Sequence, residues 1–335
     1  MSGPLASVPA SMPASVPSNN PVKSSSELSL DLNEQLLARI EKDKDEMNKV
    51  VRPSLTYWQD AWIKLKKNKI ATVSLFIILV YVAFSIFAPM LSKFDYKSQD
   101  AYSRNLKPSA EHWFGTDQAG RDLWVRNWMG ARVSLRIGVS VVILSTAIGS
   151  LIGGISGYFG GKLDLVIMRI VDVLYGIPTI MIAILLMVIL PKGEYTIVLS
   201  MLVTWWVGSA RMVRGQTLSL KTSEFVLAAK TLGAGNFRII LRHLIPNISG
   251  ILITTMTMNI PAAIFMEAFL SFIGIGVQAP NCSWGSLAQI ATQVYQIYPY
   301  QLIIPAFFIC TAVLAFNLLG DGLRDALDPK MRGKY

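Results

Sequence analysis

Six apolar stretches divide the chain, over residues 70–90, 137–159, 173–190, 195–210, 248–266 and 298–320, with polar segments between them. A helix needs roughly 20 apolar residues to cross about 30 Å of hydrocarbon. Each stretch therefore predicts a membrane span. The fourth is short and is expected to run on through Val213, with Arg211 at the membrane edge. In the second, Gly149, Gly153 and Gly157 recur every four residues. That spacing lays a smooth strip along one helix face and lets another helix approach closely. The pattern describes an all-α, polytopic membrane protein with six transmembrane helices.

A different periodicity precedes the first span, within residues 51–69. Trp58, Ala61, Trp62 and Leu65 fall at helical spacing, and Lys64, Lys66, Lys67 and Lys69 crowd the end. Such a helix is expected to lie in the bilayer interface, with its lysines reaching toward phosphates. An amphipathic helix packed on the core is the alternative. Residues 1–30 are rich in Ser, Pro and Ala and lack the apolar core of a signal peptide, which predicts a disordered tail. Residues 31–50 are highly charged, and Leu36, Leu37 and Ile40 offer one weak helical stripe.

Charge gives direction. Four lysines before the first span place the N-terminus in the cytosol, and six spans return the tail 321–335, with Arg324, Lys330, Arg332 and Lys334, to the same side. The loop 211–247, with Arg214, Lys221, Lys230 and Arg238, also falls inside. The loop 91–136 falls outside although it is basic, and long loops count little in this rule. The core then comprises residues 137–320, five helices and the loop 211–247.

Composition agrees with a membrane protein. The chain of 335 residues is 52% hydrophobic and 16% charged, against about 25% charged in soluble domains. A net charge of +10 raises the possibility of nucleic acid. The basic residues lie beside the apolar runs, however, so no nucleic-acid partner is expected. Cys282 and Cys310 are far apart, and His112 and His243 are too few for a metal site. The nearest approach to a phosphate loop, Gly160-Gly161-Lys162-Leu163, lacks the first glycine and the Ser/Thr after lysine. No nucleophile elbow, HExxH or paired-carboxylate pattern occurs. A catalytic role and a cofactor bound by this chain are not expected.

The loop 211–247 is too polar to span and too patterned to be slack. Thr222 or Ser223 is placed to cap a helix, with Glu224 in its first turn. Phe225, Val226, Ala228, Ala229 and Leu232 mix bulk with small residues, and Gly233 is a natural stop. Asn236 is placed to cap a second helix, with Phe237, Ile240, Leu241 and Leu244 on one face and Pro246 ending it. The two short helices form a knob whose alanines let a partner surface come close.

These residues resemble a known family. Ser223-Glu224-Phe225-Val226-Leu227-Ala228-Ala229-Lys230-Thr231-Leu232-Gly233, followed by Arg242-His243-Leu244-Ile245-Pro246-Asn247, resembles the EAA loop of bacterial ABC importer permeases. More narrowly it is similar to the C-type permease of oligopeptide and dipeptide importers. Phe114-Gly115-Thr116-Asp117, Gly120-Arg121-Asp122, Gly157-Tyr158-Phe159-Gly160-Gly161, Ser283-Trp284-Gly285 and the run from Gly320 to Pro329 agree. The resemblance covers residues 56–332. The family's namesake glutamate falls at Leu227, and the acid present is Glu224, one turn earlier.

The resemblance implies a type I importer permease in the bacterial cytoplasmic membrane, paired as a heterodimer with a homologous second permease. Two ATPase subunits carry ATP and magnesium, and each receives one such loop. An extracytoplasmic binding protein delivers peptide. The implied coupling residues are Glu224, Phe225, Ala228, Ala229, Gly233 and Pro246. Relatives of this type also carry nickel or other small solutes. An ion-coupled secondary transporter is the competing class, but it calls for inverted repeats and several intramembrane acids.

Two polar features remain. Asp117, Arg121 and Asp122 in the outer loop either form a docking surface for the binding protein or pair among themselves. Glu267 is the one clear acid inside an apolar stretch, and such a group is a functional candidate. It would line the translocation path, sit at the outer interface or meet a neighbouring subunit. Trp284, Tyr298 and Tyr300 are expected as interfacial anchors.

Overall fold

The computed structural model describes residues 56–327. The expected tail 1–50 and residues 328–335 lie outside them. Helix α1 (Tyr57–Lys67) buries Ala61 and Leu65 and leaves Trp58 and Trp62 about half exposed. The Lys66 ammonium stands 5.1 Å over the Trp62 ring. After one residue the chain enters α2 (Lys69–Leu91), capped by the Asn68 carboxamide, which accepts from Ala71 N at 3.2 Å. Next come α3 (Leu123–Phe159), α4 (Gly161–Gly176), α5 (Thr179–Ile189) and α6 (Glu194–Leu220). Five described helices are long and apolar enough to cross a membrane, and the pair α4–α5 makes a sixth if it is one span.

The helices extend further than the apolar runs. α3 starts at Leu123 rather than near 137, so the outer loop shortens to residues 92–122. Arg126, Arg132 and Arg136 interrupt the hydropathy of its first turns, yet each finds a partner. Arg126 Nη1 donates to Tyr96 O at 3.0 Å, Arg132 Nε to Ser85 O at 2.9 Å, and Arg136 Nη1 to Glu194 at 3.2 Å. The Arg132 contact has a local cause. Pro89 lies inside α2 and has no N–H to offer the carbonyl four residues back, which is Ser85. Arg132 fills that vacancy, and its Nη2 adds a bond to Ile86 O at 3.0 Å.

The third expected span, 173–190, is also corrected. It begins at Gly161 and bends by 84° between α4 and α5. Pro178 sets the break, because the residue before a proline is driven from helical to extended backbone. Ile177 has φ −93° and ψ 129°. The charged positions Asp164 and Asp172 hid the first half, and Arg211 and Arg214 hid the last turns of α6. They pair with one another. Arg214 grips Asp164 with Nε and Nη2 at 2.5 and 2.6 Å, and Arg211 Nη2 donates to Asp172 at 2.7 Å. Arg211 also lies 4.1 Å over the Tyr175 ring.

The glycine strip works as expected. A Cβ at Gly149 would press on Ser209 and Trp206, at Gly153 on Ala210 and Arg214, and at Gly157 on Arg214 and Thr217. Helices α3 and α6 therefore run parallel at a separation that side chains would forbid. Beyond α6, α7 (Glu224–Thr231) and α8 (Asn236–Ile239) form a hairpin. A π-turn (Ile240–Leu244) and α9 (Ile245–Asn247) lead into α10 (Ser249–Phe272). Then come α11 (Trp284–Ala291), a short capped helix that hydropathy gave no sign of, and α12 (Tyr300–Leu327). The last helix runs seven residues into the segment 321–335 that was expected to be tail. Tyr57 Oη donates to Leu327 O at 3.1 Å, joining α1 to the end of α12. At the opposite end Tyr81, Trp128, Trp284 and Phe308 pack ring to ring, with centroids 4.9–6.2 Å apart. Trp284 is fully buried there, not an interfacial anchor.

Candidate functional site

The hairpin α7–α8 forms where sequence signals accumulate, but its details differ from expectation. Ser223 is the N-cap of α7 by position, yet its hydroxyl donates back to Leu220 O at 2.6 Å. Gly233 adopts φ +80°. Gly233 N donates to Lys230 O at 2.9 Å and Ala234 N to Ala229 O at 3.0 Å, the two bonds of a Schellman termination. Gly235 rather than Asn236 precedes α8, and the Asn236 carboxamide instead accepts from Tyr158 Oη at 3.0 Å.

The hairpin has its own small core of Val226, Ala229, Ile239, Ile240 and Leu244, with Ile155 and Tyr158 of α3 packed beneath. The two alanines therefore part company. Ala229 is 7% exposed and faces inward, whereas Ala228 faces out. Phe237 and Leu241, expected on one face with Ile240 and Leu244, are 62% and 50% exposed. Of that stripe only Ile240 and Leu244 are buried. Ile245 N bonds to Ile240 O, five residues back, so the side chains that follow are rotated relative to a regular helix. Pro246 does not end the helix, because that altered register carries the chain past a residue with no N–H to give. Glu224, Phe225, Leu227 and Leu232 are also exposed. Phe225, Arg242, His243, Pro246 and Asn247 line an open recess of about 320 Å³.

At the other end, Asp117, Arg121 and Asp122 turn inward. Asp117 Oδ2 accepts from Arg121 Nε at 2.8 Å and lies 3.5 Å from Arg126 Nε. Its Oδ1 accepts from the amides of Ala119 and Arg121 at 2.8 and 3.0 Å. Asp122 caps α3 through Val125 N at 2.9 Å and meets His112 Nδ1 at 2.8 Å. All three acid and base groups are buried, so the geometry is that of a folded loop fixing its own shape. Burial also pushes the neighbouring Cys282 thiol up from its ordinary pKa. It stays protonated and donates to Arg126 O at 3.3 Å.

Residues 149–333 match the family described as "binding-protein-dependent transport system inner membrane component", and residues 56–108 match the "N-terminal TM domain of oligopeptide transport permease C". The chain is 48% identical over 284 residues to the oligopeptide transport system permease protein OppC of Bacillus subtilis, covering 85% of this chain and 93% of that one. The dipeptide transport system permease protein DppC of the same organism is 50% identical over 288 residues, covering 86% and 90%. The glutathione transport system permease protein GsiD of Escherichia coli is 40% identical over 280 residues, covering 83% and 92%. The chain belongs to this permease family. It is a multi-pass inner-membrane component of a binding-protein-dependent transport system.

Within the permease, Glu267 is placed where hydropathy alone could not put it. It is fully buried. Ser134 Oγ donates to one carboxylate oxygen at 2.6 Å and Ser271 Oγ to the other at 2.7 Å. Ser134 Oγ in turn accepts from Trp284 N at 3.3 Å. Glu267 thus ties α3, α10 and the start of α11 together. The arginine–aspartate pairs of α4 and α6 were missed for a simple reason. Read singly, their charges ended spans. Nothing along the chain signals that the partners lie 39 and 50 residues apart.

Proposed function

We propose that the permease forms, with a homologous second permease, the path by which an ATP-driven importer admits oligopeptides or dipeptides. The hairpin α7–α8 docks on one of two separate ATPase subunits. The observation that carries this reading is the hairpin's outer face. Leu227, Leu232, Phe237 and Leu241 are 51%, 87%, 62% and 50% exposed, beyond the membrane ends of α6 and α10. Surfaces rarely keep such a patch without a partner. Lys230, Arg238 and Arg242 surround it, and the same end of the bundle carries Lys64, Lys66, Lys67 and Arg324. That charge supports a cytosolic position for the hairpin and for both ends of the described chain.

Leu227 stands where the family places an acid, so recognition here is by apolar fit and shape. Ala228, Phe225, Gly233 and Pro246 supply the contour, and Ala229 holds the hairpin closed from behind. ATP and magnesium belong to the partner subunits. An extracytoplasmic binding protein supplies the peptide at the Trp284 end. The names of the relatives, which span oligopeptides, dipeptides and glutathione, support a peptide-like cargo.

Uptake of labelled peptides of graded length, in cells lacking this chain and complemented with it, tests the cargo. Restored uptake of di- to oligopeptides is expected, and restored uptake of nickel alone would overturn the peptide reading. Copurification of the ATPases with Leu232→Glu and Leu241→Glu variants tests the docking. Loss of the ATPases is expected, and retention at normal yield would count against an apolar socket.

A further inference from the structure

We infer that the outer end of α2 holds one phospholipid with a phosphoethanolamine-type headgroup, bound in a groove between α2 and the outer loop. The groove is a cavity of about 600 Å³. Its walls are Phe84, Phe87 and Leu91 of α2, with Trp113 and Trp124 opposite. Lys93 and Glu111 sit at its mouth, and both are exposed.

The occupant follows from what the groove continues. Ile70, Val73, Phe76, Leu79, Ile86, Phe87 and Met90 are 43–73% exposed along the whole of α2. A 23-residue apolar helix with so open a face is solvated by acyl chains. The groove opens at the last turns of that face, where the span ends at Ser92 and hydrocarbon gives way to headgroups. An acyl chain lying along α2 therefore reaches the aromatic walls without leaving the bilayer. Trp113, 61% exposed at that level, has the amphipathic ring that interfaces select.

The mouth then selects the headgroup. Lys93 and Glu111 have no ion-pair partner among the described residues. One cation and one anion at a single mouth match a zwitterion, with phosphate at Lys93 and ammonium at Glu111. A primary ammonium donates hydrogen bonds to the carboxylate. A trimethylammonium has no N–H to donate, and phosphatidylglycerol would set a net negative headgroup beside Glu111.

The test uses the intact importer complex. Native mass spectrometry after addition of phosphatidylethanolamine, phosphatidylcholine or phosphatidylglycerol with identical chains reads the bound lipid. Wild type is expected to retain phosphatidylethanolamine severalfold more than the other two. Glu111→Ala should remove its advantage over phosphatidylcholine, and Lys93→Ala should lower retention. Ala88→Trp, which fills the groove without touching the charges, should abolish the retained lipid. Equal retention of all three lipids by wild type, or unchanged selectivity in Glu111→Ala, would overturn the inference. A photo-crosslinking residue at Phe87 in whole cells separates the alternative occupants. A lipid adduct supports the proposal, and a crosslink to another protein subunit refutes it.

Discussion

Substituting arginine for Ala228 and, separately, for Ala229 should give two different failures, although the positions are adjacent. Ala228 faces out from α7, so Ala228→Arg adds a long cation to the docking face and leaves the hairpin core intact. Ala229 packs against Val226, Ile239, Ile240 and Leu244. Ala229→Arg must either bury an unpaired guanidinium or open the hairpin. Leaving a charge buried without its partner costs about 3–5 kcal/mol, which raises the opened population of the hairpin roughly a hundredfold or more. The assay pairs limited proteolysis of the purified permease with copurification of the ATPases. Ala228→Arg should keep the wild-type cleavage rate in residues 221–247 and lose the ATPases. Ala229→Arg should lose the ATPases and be cleaved there much faster. Equal protease resistance of Ala229→Arg and wild type would refute the inward placement of Ala229. Normal ATPase yield with Ala228→Arg would refute the docking face.

The remaining expectations concern the bundle. Gly153→Leu places a side chain on the Ala210 and Arg214 backbone. Overpacking of about 1–3 kcal/mol should lower the apparent melting temperature of the detergent-solubilised permease, and an unchanged value would deny the close α3–α6 seam. Arg132→Met leaves the Ser85 carbonyl beside Pro89 without its donor. A loss of about 1–3 kcal/mol is expected, read by the same thermal assay, with no shift counting against the contact. Asp164→Arg should impair uptake, and Arg214→Asp added to it should restore part of the loss. Additive losses in the pair would show that the two residues do not act together.

Much of this molecule is legible in the pattern of apolar residues. All six stretches lie within helices or, in one case, a bent helix pair, and the glycine strip predicts its seam correctly. What hydropathy misreads is charge that has a partner. Arg126, Arg132 and Arg136 cut the first turns from α3, and Asp164 and Asp172 cut most of α4. Each is paired across space, and a window along the chain cannot see across space. The hairpin shows the complementary limit. Gly233 announces its turn, because positive φ belongs to glycine. The π-turn at Ile240–Leu244 has no such residue signature, and the stripe of Phe237, Ile240, Leu241 and Leu244 splits, with Ile240 and Leu244 buried and Phe237 and Leu241 exposed. Asp117, Arg121 and Asp122 were visible as candidates, and only the fold shows that they face one another.

The π-turn and Pro246 have a mechanical consequence. From Asn236 to Phe272 the chain is helical almost throughout, and the stretch Ser249–Phe272 alone is about 36 Å long at roughly 1.5 Å per residue. The exposed hairpin and the buried Glu267 thus lie toward the two ends of one largely helical stretch, interrupted by the π-turn near its base and by Pro261 within α10. A push on the hairpin has no slack loop in which to dissipate. If the hairpin docks as proposed, a push there is passed along α10 to the Ser134–Glu267–Trp284 junction at the far side of the bundle.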